Sequence, residues 1–103
     1  MTADTIFDGA SLTKVIATTP AIMLLVERGK LRLGDKVNRW IPGFEAHGKG
    51  AVTVRNLLPH TSGLRPGLSA KPAWRGVAKA IDLAKAEPPT TQPDTKPRYS
   101  DLN

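Results

Sequence analysis

Between Val15 and Val26 the chain offers almost no polar face. Val15, Ile16, Ala17, Ala21, Ile22, Met23, Leu24, Leu25 and Val26 are apolar, broken only by Thr18, Thr19 and Pro20. A helix that is apolar all round needs neighbours on every side, so this segment is expected in the middle of a fold. Its ends are marked as well. Ser11 is a good N-cap candidate, Gly29 suits the position just past the last turn, and Lys30 follows. The spacing predicts a helix from Ser11 to Arg28, with Pro20 inside it. Proline removes one backbone hydrogen bond and crowds the preceding turn, so a kink is expected near Thr18 and Thr19. The alternative is a fresh helix capped by Thr19, with Pro20 at its first position.

The remaining elements are shorter. Leu31 to Ile41 reads as a turn at Gly34-Asp35 and then an amphipathic piece with Val37, Trp40 and Ile41 facing inward. Pro42-Gly43 ends that piece, and His47-Gly48-Lys49-Gly50 reads as a flexible loop. Val52 to Leu58 is expected to be a short helix capped by Thr53, packing Val54, Leu57 and Leu58. Pro59 stops it, and His60-Thr61-Ser62-Gly63-Leu64 forms a turn. Trp74, Val77, Ile81 and Ala84 recur at helical spacing, which predicts a helix over Ala73 to Ala86. Glu87 to Pro97, with Pro88, Pro89, Pro93 and Pro97, is expected to be an extended connector. Arg98 to Asn103 begins a further element.

Composition removes several classes of function. The 103 residues suffice for one small domain and contain no cysteine, which excludes disulfides and thiolate metal sites. His47 and His60 lack a ligand-pair spacing, so neither metal nor other cofactor is expected. Fifteen basic against nine acidic residues give a net charge of +6. The basic residues are scattered, with Glu27 and Asp35 interrupting the densest stretch between Arg28 and Arg39, and aromatics are few. Nucleic acid is therefore not an expected partner. No apolar run has the roughly eighteen residues of a membrane span. Met1-Thr2-Ala3-Asp4 lacks the basic start and apolar stretch of a signal peptide, so a chain beginning at Met1 is expected in the cytoplasm.

The chemistry that stands out is Ser11-Leu12-Thr13-Lys14. A serine and a lysine three apart on a helix share one face, one turn above the other. A hydroxyl beside an amine able to take its proton is a serine nucleophile. The bland alternative is a capping serine and a solvated lysine, and the pattern arises by chance in roughly one chain in three of this length. Its surroundings must decide.

Five blocks surround it: Phe7 to Lys14 (FDGASLTK), Leu24 to Leu31 (LLVERGKL), Val37 to Phe44 (VNRWIPGF), Val52 to Leu64 (VTVRNLLPHTSGL) and Arg98 to Asp101 (RYSD). In this order they resemble the β-lactamase-related serine hydrolases: class C β-lactamases, DD-peptidases and esterases of the same fold. The resemblance implies an α/β (α+β) fold of the serine β-lactamase/DD-peptidase type, of which residues 1–103 are a partial domain. This chain is expected to be mostly its helical portion, with most of the central antiparallel sheet missing.

By the same resemblance Ser11 matches the acylated serine and Lys14 the lysine that helps deprotonate it. Tyr99 matches the tyrosine of a Tyr-x-Asn motif, a second acid/base group. The implied partner is a small-molecule ester or amide, attacked to give an acyl-enzyme. Family members are often periplasmic or secreted.

There are departures. Asp101 stands where the motif has asparagine, replacing an amide donor by an acceptor, which tilts the reading from β-lactam recognition toward an esterase or peptidase-like member. Pro20 and Pro59 stand where ordinary helix residues are expected. No Lys-Thr-Gly-type strand occurs within these residues, so the chain alone is expected to be inactive and marginally stable. The other reading is a non-catalytic remnant or interaction module, self-associating through apolar surface. His60 and Ser62 invite a Ser-His-Asp triad, but the resemblance makes their segment a structural turn.

Overall fold

The computed structural model describes residues 1–103. The chain divides into two compact units, Met1–Leu31 and Arg32–Asn103.

The first unit is one helical rod with a change of pitch. Lys14–Thr18 forms a π-helical turn, and α1 follows over Thr19–Glu27. The switch falls at the proline. Pro20 has no N–H to donate, and its ring crowds the turn before it. The chain answers by widening: the Thr19 N–H reaches back five residues to the Lys14 carbonyl. Helix therefore continues through the expected kink. The other end is closed as its residues predict. Gly29, at φ 68°, donates to the Val26 carbonyl at 3.0 Å, while the Lys30 N–H reaches the Leu25 carbonyl at 2.9 Å. This crossed pair is a Schellman cap, and its left-handed residue is the one glycine tolerates without steric cost.

One expectation for this rod needs correction. Ser11 is not a side-chain cap: the cap position is Thr13, in helical conformation and with no side-chain cap bond. Within these residues the apolar helix lacks the neighbours it needs, since no residue of Lys14–Glu27 is buried. Val15 and Ile16 are 65% and 71% exposed, values typical of surface rather than core positions.

The second unit holds the core. Val37, Phe44, Val52 and Leu64 are buried together, with Ile41, Leu57 and Leu102 packed against them. A 3₁₀ turn over Val37–Arg39 and the short helix α2, Val54–Leu57, supply part of this cluster. They are tied by an antiparallel bridge between Lys36 and Thr53, with Val37 N–H to Val52 O and Val54 N–H to Asp35 O both at 3.0 Å. That bridge is isolated and no strand forms, so the sheet expected of an α/β fold is not represented. The start of α2 follows its sequence signal. Thr53 and Asn56 exchange side-chain-to-backbone bonds in a full capping box.

Helix α3, Val77–Ala86, starts four residues later than its periodicity suggests, because Gly76 at φ 89° breaks the helix there. Trp74, Val77, Ala80, Ile81 and Ala84 line an apolar cavity of about 530 Å³ whose opposite wall includes Ile41, Phe44 and Leu102. Trp40 departs from its expected inward role: it is 47% exposed, with the Arg39 guanidinium 5.3 Å from its ring centroid.

The largest departure is Lys49. The expected flexible loop is a pair of 3₁₀ turns over Ala46–Ala51, joined across left-handed His47 and Gly48, and Lys49 is 1% exposed. Its ammonium donates to the carbonyls of Ala46, Lys85 and Glu87 at 3.0, 2.6 and 2.6 Å. The Phe44 ring lies 5.3 Å away. Burial pushes this lysine below its ordinary value while the Glu87 carboxylate pulls the other way.

Candidate active site

The segment before Ser11 is wound tightly. Asp8 folds back so that its carboxylate accepts the Ala10 N–H at 2.8 Å, and Ala10 takes φ 44°. A β-carbon in that left-handed region costs about 1–2 kcal/mol. Three short turns follow in succession: Leu12 N–H to Gly9 O, Thr13 N–H to Ala10 O and Lys14 N–H to Ser11 O, at 2.9, 3.1 and 3.0 Å. Ser11 thus sits one turn below Lys14 at the entrance of the rod. Ser11 is exposed and Lys14 half-buried. The π-helical turn around Lys14 contains no buried residue.

Tyr99 belongs to the second unit, and its setting is built by His60. The Arg98 N–H donates to the His60 carbonyl at 2.8 Å, and the Ser100 N–H donates to His60 Nδ1 at 3.2 Å. These two bonds bracket Tyr99 in sequence. Its ring lies against the imidazole, centroids 4.5 Å apart and planes inclined by 30°. Tyr99 is 56% exposed.

Further bonds fix the surroundings. Ser62 is fully buried, accepts the Leu64 N–H at 3.2 Å and donates to Asn103 Oδ1. The Asn103 amide nitrogen then lies 3.1 Å from His60 Nδ1. Ser100, also fully buried, donates to the Arg65 carbonyl and accepts the Leu102 N–H at 3.0 Å. Ser62 therefore bonds to Asn103 and not to His60, which leaves no serine–histidine pair here.

The proline-rich connector holds this turn from outside. Thr90 and Asp94 donate backbone N–H groups to the carbonyls of Gly63 and Thr61, both at 2.8 Å. The Asp94 carboxylate accepts from Asn56 Nδ2 at 2.8 Å and from Thr61 Oγ1 at 3.2 Å. Sequence reasoning marked His60 only as a structural turn residue. Its partners stand about forty positions further on, beyond any local signal.

Comparison with known proteins gives this geometry a context. The family described as Beta-lactamase matches residues 1–103 in full. The chain belongs to the Beta-lactamase family. Among curated relatives, "Penicillin-binding protein 4*" of Bacillus subtilis (strain 168) is 51% identical over 61 residues, covering 59% of this chain and 13% of that protein. "Putative D-alanyl-D-alanine carboxypeptidase" proteins of Salmonella heidelberg (strain SL476) and Salmonella typhimurium (strain LT2) are each 30% identical across 99% of this chain and 27% of their own length. This Beta-lactamase family member thus spans about a quarter or less of the relatives it matches. No helix in it is long and apolar enough to cross a membrane.

Proposed function

We propose that this chain carries the nucleophile and proton-transfer residues of a serine hydrolase acting on an ester or amide carbonyl. Ser11 Oγ attacks the carbonyl carbon and its proton passes to a neutral Lys14 amine. The tetrahedral adduct collapses, the leaving group departs with a proton, and water later cleaves the acyl-Ser11 ester. Tyr99 is the second acid/base group. The observation that carries this reading is the strained Ala10 immediately before Ser11. An outlier of this kind persists where the surroundings over-determine it, as they do around presented nucleophiles. The blocks from Phe7 to Asp101 belong to one β-lactamase-related domain of α/β type, of which these residues supply helical elements.

Asp101, in place of the motif's asparagine, directs the choice among family substrates. It replaces an amide donor by an acceptor, so an ester or a peptide-like amide is favoured over a β-lactam. The test is covalent labelling. A fluorophosphonate probe is expected to add to Ser11, read as a mass increase on the peptide containing it, and to fail on Ser11→Ala. Equal labelling of the variant would remove Ser11 from the role.

The exposed apolar rod favours a second reading, an interaction module without catalysis. Met23, Leu24 and Leu25 are each more than a third exposed, alongside Val15 and Ile16. Contiguous apolar surface of this kind drives association. Concentration-dependent sedimentation with no labelling at Ser11 would favour this reading over the enzyme.

A further inference from the structure

We propose that His60 is a positioning residue for Tyr99, and that its neutral imidazole, unprotonated at Nδ1, fixes where the phenol ring lies. The inference rests on the reading of Tyr99 as an acid/base group. Its evidence is the backbone on either side of that residue. The N–H before Tyr99, on Arg98, is taken by the His60 carbonyl, and the N–H after it, on Ser100, is taken by His60 Nδ1. The imidazole face then covers the tyrosine ring. One residue holds Tyr99 from three directions.

The tautomer follows from the donors. A backbone N–H can only donate, so the nitrogen that receives Ser100 must present its lone pair, which puts the ring proton on Nε2. The Asn103 amide agrees. Its Oδ1 accepts from the Ser62 hydroxyl, so the group facing His60 is the NH₂, a second donor onto the same nitrogen. Ser62 is itself oriented by the Leu64 N–H. The relay from Leu64 through Ser62 and Asn103 to His60 runs in one direction only.

A proton on Nδ1 would turn that acceptor into a donor aimed at two other donors. Both bonds would be lost, and with them the hold on the residue after Tyr99. The charged side chains on the segments bonded to His60 are Arg98 and Asp101 flanking the tyrosine, Arg65 beyond the turn, and Asp94, which is hydrogen bonded to Thr61. Tyr99 is the titratable group in ring contact. The backbone of His60 is left-handed at φ 58°, a conformation that asparagine tolerates better than most residues.

Tyr99 is the sole tyrosine of the chain, so its ring gives one set of resonances. In the 103-residue protein, long-range ¹⁵N–¹H correlation is expected to show His60 at neutral pH with the proton on Nε2. His47→Asn assigns the signals by removing the other histidine. On acidification the Tyr99 ring signals are expected to move with the same midpoint as His60 Cε1–H. An Nδ1–H tautomer, or tyrosine signals that stay still while His60 titrates, overturns the proposal without any variant at His60. His60→Asn keeps an acceptor near Nδ1 and is expected to keep the Ser100 amide protected while losing the pH-dependent ring shift. His60→Leu loses both. A His60→Asn protein that retains the ring shift also overturns it. Labelling at Ser11 is read separately: a labelled serine beside a static tyrosine rejects only the positioning role, and a titrating tyrosine beside an unlabelled serine rejects only the enzyme.

Discussion

The Lys49 ammonium donates to the carbonyl of Glu87 at 2.6 Å, joining a turn near the middle of the chain to a residue thirty-eight positions later. With the Lys85 and Ala46 carbonyls it ties the last turn of α3 to the 3₁₀ turns over Ala46–Ala51. Replacing it leaves partly buried carbonyls without this donor, and a fully buried group so left costs about 1–3 kcal/mol. Lys49→Met is therefore expected to destabilise the chain by roughly 2–4 kcal/mol. Urea midpoints for the variant and the parent check this.

Gly63 faces an even tighter constraint. At φ 81° it is left-handed, and a β-carbon there would stand 2.0 Å from the Thr91 carbonyl oxygen. Neither can move alone, because the Gly63 carbonyl accepts from both the N–H and the hydroxyl of Thr90. Gly63→Ala is expected to cost about 3 kcal/mol or more, from backbone strain and collision together. Limited proteolysis should then cut within the connector, at sites protected in the parent.

Acid stability has a local component at Asp35. The Arg32 N–H holds its carboxyl below the ordinary value of 3.8; burial is the next-largest effect and opposes it, and the Arg39 guanidinium adds to the lowering. Arg32 N–H and Arg39 Nη1 each lie 3.0 Å from the carboxylate. Between the folded and unfolded values the unfolded chain binds more protons, so stability rises with pH across that window. The contribution is complete above the ordinary carboxylate range and is lost as pH falls through the lowered folded value. Asp35→Asn is expected to flatten the urea midpoint against pH below about pH 4.

Ala10→Gly tests the strain before Ser11. Glycine meets no steric penalty at φ 44°, so about 1 kcal/mol of strain is relieved, partly offset by a freer unfolded chain. Stability is expected to change by under about 1 kcal/mol. Fluorophosphonate labelling of Ser11 is expected to slow, because the turn that presents it is no longer held. Denaturation and labelling rates on the same sample separate the two effects.

What could be read from the residues follows the range of the interactions involved. The Gly29 cap and the Thr53 box are settled by partners within five positions, and both stand where their residue types place them. Ser11 and Lys14 likewise fall on adjacent turns because their spacing is local. Lys49 and His60 went the other way. A lysine between two glycines looks like solvated loop, and only the carbonyls of Lys85 and Glu87 make it an interior residue. His60 acquires its role from Arg98, Ser100 and Asn103. For the apolar rod, the pattern reports what a helix needs, and residues 1–103 do not supply enough partners to bury it.

The widened turn over Lys14–Thr18 also sets an angle. One extra residue in a helical turn rotates everything before it by about 100° relative to everything after. Ser11 therefore points in a direction set by the bulge and not by the register of α1. Deleting one residue between Val15 and Ala17 would swing the serine around the rod axis while leaving α1 and its Schellman cap as they are. The proline in the helix thus acts as an indexing device, and chain length in that single turn determines which way Ser11 faces.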